Sequence, residues 1–127
     1  MKKPPPPFEF VLEQLRHLNP VVKPMFGCHA IYIEEKIMLV LRKKESDYDN
    51  GVWIASAVNH YAALRKILPS LRAISIFGTG RSGWQNIPED NDRFEEEAMM
   101  ACDLILKLDP RIGKVPSSKK KKINSKH

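Results

Sequence analysis

Two apolar segments separated by a short charged stretch constrain the fold of this chain more than any other feature. The first runs from Cys28 to Ile33 and the second from Ile37 to Arg42. Their connection, Glu34-Glu35-Lys36, is too short for a crossover, so the segments can pair only as an antiparallel hairpin. Because nearly every position in both segments is apolar, we expect the hairpin to lie centrally in a sheet that is largely covered.

The other elements predicted from periodicity cover or extend this hairpin. Residues 21–26 form either a short strand or a lead-in, since Pro24 interrupts them. The layout αβββαββα predicts an α+β fold, a single domain in which three helices pack on an antiparallel sheet of about five strands. In chain order, the further elements are a helix over Phe8–Leu18, a strand over Val52–Ala55, a helix that runs from a cap at Ser56 or Asn59 to Leu68, strands over Ala73–Phe77 and Trp84–Ile87, and a last helix.

The last helix has the clearest local pattern. Asp92 and Glu95 have the spacing of a capping box, with Asp in place of the usual Ser or Thr. The first turn is acidic, which the helix dipole favours, and Asp109-Pro110 ends the helix. We expect one apolar stripe to pack on the sheet; it comprises Phe94, Ala98, Ala101, Cys102, Ile105 and Leu108.

The positive charge of the chain is confined to its C-terminal end. Residues 1–110 hold 14 Lys+Arg and 15 Asp+Glu, whereas residues 111–127 hold seven Lys+Arg and no acidic residue. The sequence therefore predicts an extended Pro-rich N-terminus at 1–7, an α+β domain at 8–110 and a basic, disordered tail at 111–127. Two interpretations of the tail stay open. It is a solubilising end, or it makes weak, sequence-independent contacts with nucleic acid or another polyanion through Lys119, Lys120, Lys121 and Lys122.

Composition indicates neither a membrane protein nor a secreted one. No apolar run approaches the roughly 20 residues of a membrane helix. Four consecutive prolines stand where a signal peptide has its apolar segment. We therefore expect a cytoplasmic protein with no membrane partner. Cys28 and Cys102 fit that compartment as reduced core thiols, because neither has a second Cys or a His pair at zinc-ligand spacing.

A glycine-rich stretch from Gly78 to Gly83 matches the dinucleotide fingerprint G-x-G-x-x-G letter for letter. The fingerprint also requires a helix directly afterwards, because the phosphates rest on the N-terminus of that helix. Here Trp84 begins a predicted strand, so we interpret the stretch as a hairpin loop and expect no dinucleotide binding. Contact with an anion or a small ligand near residues 78–84, through Arg81 and Trp84, is a separate hypothesis.

Other chemistry-bearing residues form no recognisable constellation in the sequence. His17, His29 and His60 fall on separate elements without ligand spacing, and no serine has the context of a nucleophile elbow. Trp53 and Trp84 are expected to be buried in strands. The sequence therefore predicts a protein that is not an enzyme and that uses neither a metal nor a cofactor.

Several residues resemble the TfoX N-terminal domain family and the related YjbR/MmcQ-type domains. Met25-Phe26-Gly27, the hydrophobic strand after it, Lys36 at the turn and the second hydrophobic strand are similar to that family's MFGG-x-G…GKMF segment. The order of the elements over residues 8–110 is similar too. The resemblance implies a TfoX N-terminal-like fold and a small regulatory or interaction module. Its partner would be another protein or a second copy of itself, as in a homodimer. The resemblance carries over no catalytic residues.

Overall fold

The fold of the chain is given by a computed structural model that describes residues 6–25, 27–75 and 83–115. The helices are α1 (Glu9–Gln14), α2 (Tyr61–Ile67) and α3 (Phe94–Leu106), with 3-10 turns at Arg16–Leu18 and Val58–His60. The strands are β1 (Val21–Met25), β2 (Cys28–Ile33), β3 (Lys36–Arg42), β4 (Gly51–Ala55), β5 (Arg72–Ala73) and β6 (Trp84–Pro88).

The strands form one antiparallel sheet in the order β1-β2-β3-β4-β6-β5. The predicted hairpin is confirmed, because β2 and β3 pair with Ala30 opposite Val40. The α+β class is confirmed as well. The sheet has six strands rather than about five, because residues 21–25 form the edge strand β1. Pro24, which lacks a backbone N–H, is tolerated there because it stands on an edge.

All three helices contribute to the larger core, which covers one face of the sheet. That core combines helix residues with strand residues, among them Val11, Leu15, Leu64, Phe94, Ala98 and Ile105 from the helices and Ile31, Leu39, Ile54 and Ile87 from the strands. The opposite face carries a smaller cluster made of Cys28, Ala30, Ile37, Val40, Trp53, Ala55 and Ile74. Both cysteines are buried and neither forms a disulfide, as predicted. Within the described ranges, no helix is both long enough and apolar enough to span a bilayer.

The predicted capping box at the start of α3 is wrong. The N-cap is Arg93, and no side chain caps this helix. The backbone turns just before it, where the N–H of Phe94 donates to the carbonyl of Asn91 at 2.9 Å. The Oδ1 of Asn91 accepts the N–H of Arg93 at 2.7 Å. Asp92 therefore lies inside a turn, one residue too early to pair with Glu95 as a cap.

The predicted caps of α2 do not form either. A 3-10 turn at Val58–His60 precedes the helix and places His60 at its N-cap, without a side-chain hydrogen bond. Ser56 and Asn59 are therefore upstream of the position at which they would cap. The hydroxyl of Ser56 instead donates to the carbonyl of Ala57 at 3.2 Å.

Strand β5 is shorter than the predicted strand over residues 73–77. Only Arg72 and Ala73 pair, with Asn86 and Gln85 of β6, as an antiparallel ladder. Ser75 leaves the ladder because its backbone N–H and its hydroxyl both donate to the carboxylate of Asp49, at 2.9 and 3.0 Å. The end of the predicted strand, from residue 76, lies outside the described residues.

Helix α3 ends in a Schellman motif whose left-handed residue is Leu108, with φ of 59°. The N–H of Leu108 donates to the carbonyl of Ile105 at 2.9 Å, and that of Asp109 to Leu104 at 3.0 Å. The side chain of Leu108 is 72% exposed. Its predicted place in the apolar stripe is wrong, because the reversal of the chain at the helix end turns this residue towards solvent.

We expect Leu108→Gly to raise the free energy of unfolding by about 0.5–1 kcal/mol. A left-handed conformation costs a residue with a β-carbon roughly 1–2 kcal/mol, and the greater freedom of glycine in the unfolded chain cancels only part of that gain. Urea denaturation measures the change. Leu108→Ala is the matched control, since alanine keeps the β-carbon and should give no gain. A glycine variant less stable than the alanine variant would contradict the interpretation.

The ordered chain continues past Pro110, where the sequence placed the start of a disordered tail. Ile112 is 2% exposed in the larger core. Ile37 and Lys114 exchange two backbone hydrogen bonds, at 2.9 and 3.0 Å, and the N–H of Gly113 donates to the carbonyl of Ala55 at 2.9 Å. We call residues 111–115 the return segment. It packs against the sheet because Ile112, an apolar residue between basic ones, can be buried in the core. Residues 116–127 lie outside the described part of the chain.

Candidate functional site

The return segment closes a cleft at the end of the sheet where β3 begins and β4 ends. The cleft has a volume of about 300 Å³. Its polar side chains are nitrogen-bearing and basic, so we call it the basic cleft. It is lined by Lys36, Ala57, His60, Pro110, Arg111, Gly113, Lys114 and Val115.

Two lysines line this cleft from neighbouring backbone positions. Lys36 is the first residue of β3, and Lys114 belongs to the bridge with Ile37. Among the described residues, neither lysine forms an ion pair with a carboxylate. A β-carbon on Gly83 would overlap the Nζ of Lys114, so this ammonium lies against the last glycine of the glycine-rich stretch. The end of that stretch therefore lies beside the side chain of Lys114.

The guanidinium of Arg111 is oriented by Asp109. Its Nε donates to Oδ1 of Asp109 at 2.9 Å and its Nη2 to Oδ2 at 2.6 Å. These bonds lower the pKa of Asp109 to about 2 and raise that of Arg111. The ion pair is therefore fully formed above the ordinary carboxyl pKa and is lost only as the pH falls through about 2. The other edge of the guanidinium, formed by Nη1 and the second N–H of Nη2, takes part in neither of these two hydrogen bonds.

His60 places a buried ring nitrogen at the cleft. It is the last residue of the 3-10 turn before α2, and it lines the cleft opposite the return segment. Within the described residues, Nδ1 of His60 is buried and has no hydrogen-bond partner. A buried polar atom left without a partner costs about 1–3 kcal/mol, and because Nδ1 is enclosed, a ligand in the cleft does not reach it in this arrangement.

A second polar cluster lies at the other end of β3, on the face of the sheet that carries the smaller hydrophobic cluster. Arg42, which is 7% exposed, donates from Nη1 to Sγ of Cys28 at 3.1 Å and from Nη2 to Asp47 at 2.8 Å. The second bond raises the pKa of Arg42 and lowers that of Asp47. The guanidinium also lies 5.8 Å from the ring centroid of Trp53. Because these partners engage Nη1 and Nη2 and the side chain is buried, we interpret Arg42 as a tether for the loop that follows β3.

Asp49 completes this tether. Its carboxylate accepts two hydrogen bonds from Ser75, and its carbonyl accepts the indole N–H of Trp53 at 2.8 Å. The loop before β4 and the segment after β5 are thus fixed to one tryptophan. We assign this second cluster a structural role.

The structure describes only one of the site residues that the sequence singled out. Trp84 is half-buried in β6, with its ring centroid 5.9 Å from that of the fully buried Trp53, and it does not line the basic cleft. Arg81 and most of the 78–84 loop lie outside the described residues. So do Lys119, Lys120, Lys121 and Lys122. A strand does follow Gly83, as predicted, so the helix that a dinucleotide fingerprint needs is not there.

Sequence reasoning missed every basic residue of the cleft as a site residue. The sequence places Lys36 at a turn, His60 on its own, and Arg111 and Lys114 in the tail. The return segment, Arg111-Ile112-Gly113-Lys114-Val115, does not alternate as a half-buried strand does, because its basic residues stand three positions apart. The return segment pairs with β3, which is distant in the sequence, and no local sequence pattern indicates that pairing.

Comparisons of the chain with protein-family models, with curated proteins and with solved structures found no match. The resemblance to the TfoX N-terminal domain family therefore stays a prediction. Across residues 6–25, 27–75 and 83–115, no group of three or more His, Cys, Asp or Glu side chains is placed to hold a metal ion. We therefore base the functional proposal on the geometry of the basic cleft.

Proposed function

We propose that this protein is a non-enzymatic interaction module that binds an anionic group of its partner in the basic cleft. One observation carries the proposal: Lys36, His60, Arg111 and Lys114, from three parts of the chain, converge on one cavity. Cationic and N–H donor groups that line a concave site have the chemistry of anion recognition.

The charge of the cleft is local, which supports a specific site over general attraction. Residues 1–115 hold 16 Lys+Arg and 15 Asp+Glu, so this part of the sequence is nearly neutral. Four basic side chains in one cavity are therefore a local concentration of basic groups, of which Arg111 is paired with Asp109. Such a patch orients an acidic partner and speeds its approach.

The non-enzymatic part of the proposal follows from the character of these groups. The polar side chains of the cleft are hydrogen-bond donors and cations, and the neighbouring carboxylate of Asp109 is already held by Arg111. This arrangement suits binding of an anion. We extend the proposal to the finer fold: the hairpin after Met25, followed by β4, α2, β6 and α3 in that order, supports a TfoX N-terminal-like arrangement.

The test is the binding of a fluorescent peptide of eight glutamates, followed by anisotropy at low salt. We expect Lys36→Gln combined with Lys114→Gln to weaken binding about tenfold or more, because each charge-assisted hydrogen bond contributes roughly 1.5–3 kcal/mol. Lys36 begins β3 and Lys114 is held by backbone hydrogen bonds to Ile37, so the variant should keep its fold.

The matched control is Arg16→Gln combined with Lys66→Gln. Both residues are exposed and lie outside the cleft lining, and the change in net charge is the same. An equal loss in the control would mean that the peptide responds only to net charge, and the cleft proposal would fall. A single-stranded oligonucleotide tests the nucleic-acid hypothesis. If it binds more tightly than the peptide, and removal of residues 116–127 abolishes that binding, the tail is the binding element instead.

A further inference from the structure

The basic cleft offers more positive charge than a single carboxylate requires. Lys36 and Lys114 are unpaired with any carboxylate in the described part of the chain. Arg111 is neutralised by Asp109 but still presents the outer edge of its guanidinium. His60 lines the same cleft, although its Nδ1 is enclosed. Two uncompensated ammonium groups match a ligand that carries two negative charges.

The orientation of Arg111 restricts the shape of that ligand. Asp109 occupies the Nε side of the guanidinium, so the edge formed by Nη1 and Nη2 is the one that remains. This edge donates two parallel N–H bonds and fits two oxygens of one tetrahedral or planar anion. Lys36 and Lys114 also line the cavity, and their ammonium groups require additional oxygens. A carboxylate has two oxygens, whereas a phosphate group has at least three that accept.

From these contacts we infer that the basic cleft is a phosphomonoester site, an inference that rests on the proposed function and names its ligand. The bound group is a phosphate dianion, either as inorganic phosphate or at the end of a small phosphorylated molecule or side chain. The outer edge of Arg111 holds two of its oxygens. Lys36 and Lys114 neutralise its charge.

The size of the cleft favours this ligand over a nucleic-acid strand. A volume of about 300 Å³ accommodates a phosphate and part of the group attached to it. A nucleic-acid backbone carries one charge per phosphate and is contacted along an extended groove, at several phosphates in turn. One compact cavity with two unpaired lysines is matched to a single doubly charged group.

The experiment is titration of the full chain with inorganic phosphate and with phosphoserine, followed by amide shifts in two-dimensional NMR and by calorimetry. We expect saturable shifts at His60, Gly113 and Lys114. Lys36→Gln and Lys114→Gln should each weaken phosphate about tenfold, while Lys66→Gln leaves it unchanged. Arg111→Lys should weaken it too, because lysine cannot form the two parallel bonds.

Each other outcome overturns the inference in a distinguishable way. If phosphate fails to bind while the glutamate peptide binds in a cleft-dependent manner, the ligand assignment is wrong and the proposed function stands. If neither binds, both fall. If phosphate binds equally well to all variants, its site lies elsewhere. If an oligonucleotide shifts the cleft amides and phosphoserine does not, the ligand is a phosphodiester, which also contradicts the inference.

Discussion

Truncation of Leu39 to alanine should lower the free energy of unfolding by about 2–5 kcal/mol, the range found for leucines deleted from well-packed cores. Leu39 is fully buried in the larger core. It lies in β3, opposite Ile54 of β4 and Ile31 of β2. Rigid strands flank it on both sides, so the structure cannot collapse around the missing atoms, and a cavity should remain.

Urea denaturation of the Leu39→Ala variant measures this loss. Leu108→Ala removes the same atoms from a side chain that is 72% exposed and should change stability by less than about 0.5 kcal/mol. A Leu39 variant as stable as this control would mean that β3 is not a core strand.

Gly51→Ala should destabilise the fold by about 3–5 kcal/mol, although it adds only one methyl group. Gly51 has φ of 146°, a conformation that residues with a β-carbon rarely adopt. A β-carbon there would overlap the carbonyl oxygen of Ile87 and lie 2.5 Å from Oδ1 of Asn86. Strained backbone costs roughly 1–3 kcal/mol and overpacking a similar amount. Because the main obstacle is the backbone of β6, side-chain movement cannot relieve it.

Gly27→Ala is the matched control for this prediction. Gly27 also has a positive φ, of 75°, but an added β-carbon would meet only the flexible end of Lys44. We expect a loss of about 1 kcal/mol, the cost of left-handed backbone alone. Denaturation of both variants under the same conditions gives the comparison. Equal losses for the two variants would mean that the close approach of β4 and β6 is wrong.

The elements that could be predicted from the sequence are those set by local patterns. The apolar run from Cys28 to Arg42 predicts its hairpin because few other structures can bury it. Phe94 to Ile105 shows a helical stripe for the same reason. The errors occur where a turn decides the position of a residue. Asp92 missed its cap because the chain turns at Asn91, and Leu108 left the stripe because the Schellman motif reverses the chain.

The basic cleft could not be predicted because its residues are distant in sequence. Lys36 and Lys114 meet only after the return segment pairs with Ile37, and that pairing is long-range. The charge count also misled, since it assigned Arg111 and Lys114 to a disordered tail. A tally of basic residues cannot distinguish those held by a buried neighbour such as Ile112 from those in solvent.

The basic cleft exists only while the return segment stays attached to the sheet. Three backbone hydrogen bonds, two with Ile37 and one with Ala55, join this segment to the sheet. So short a contact can open while the rest of the sheet stays folded, and opening carries Lys114 away from Lys36. Only the closed form presents the full set of donors, so an anion that bound there would also keep the return segment in place. Occupancy of the cleft and attachment of the return segment would then be linked as one equilibrium.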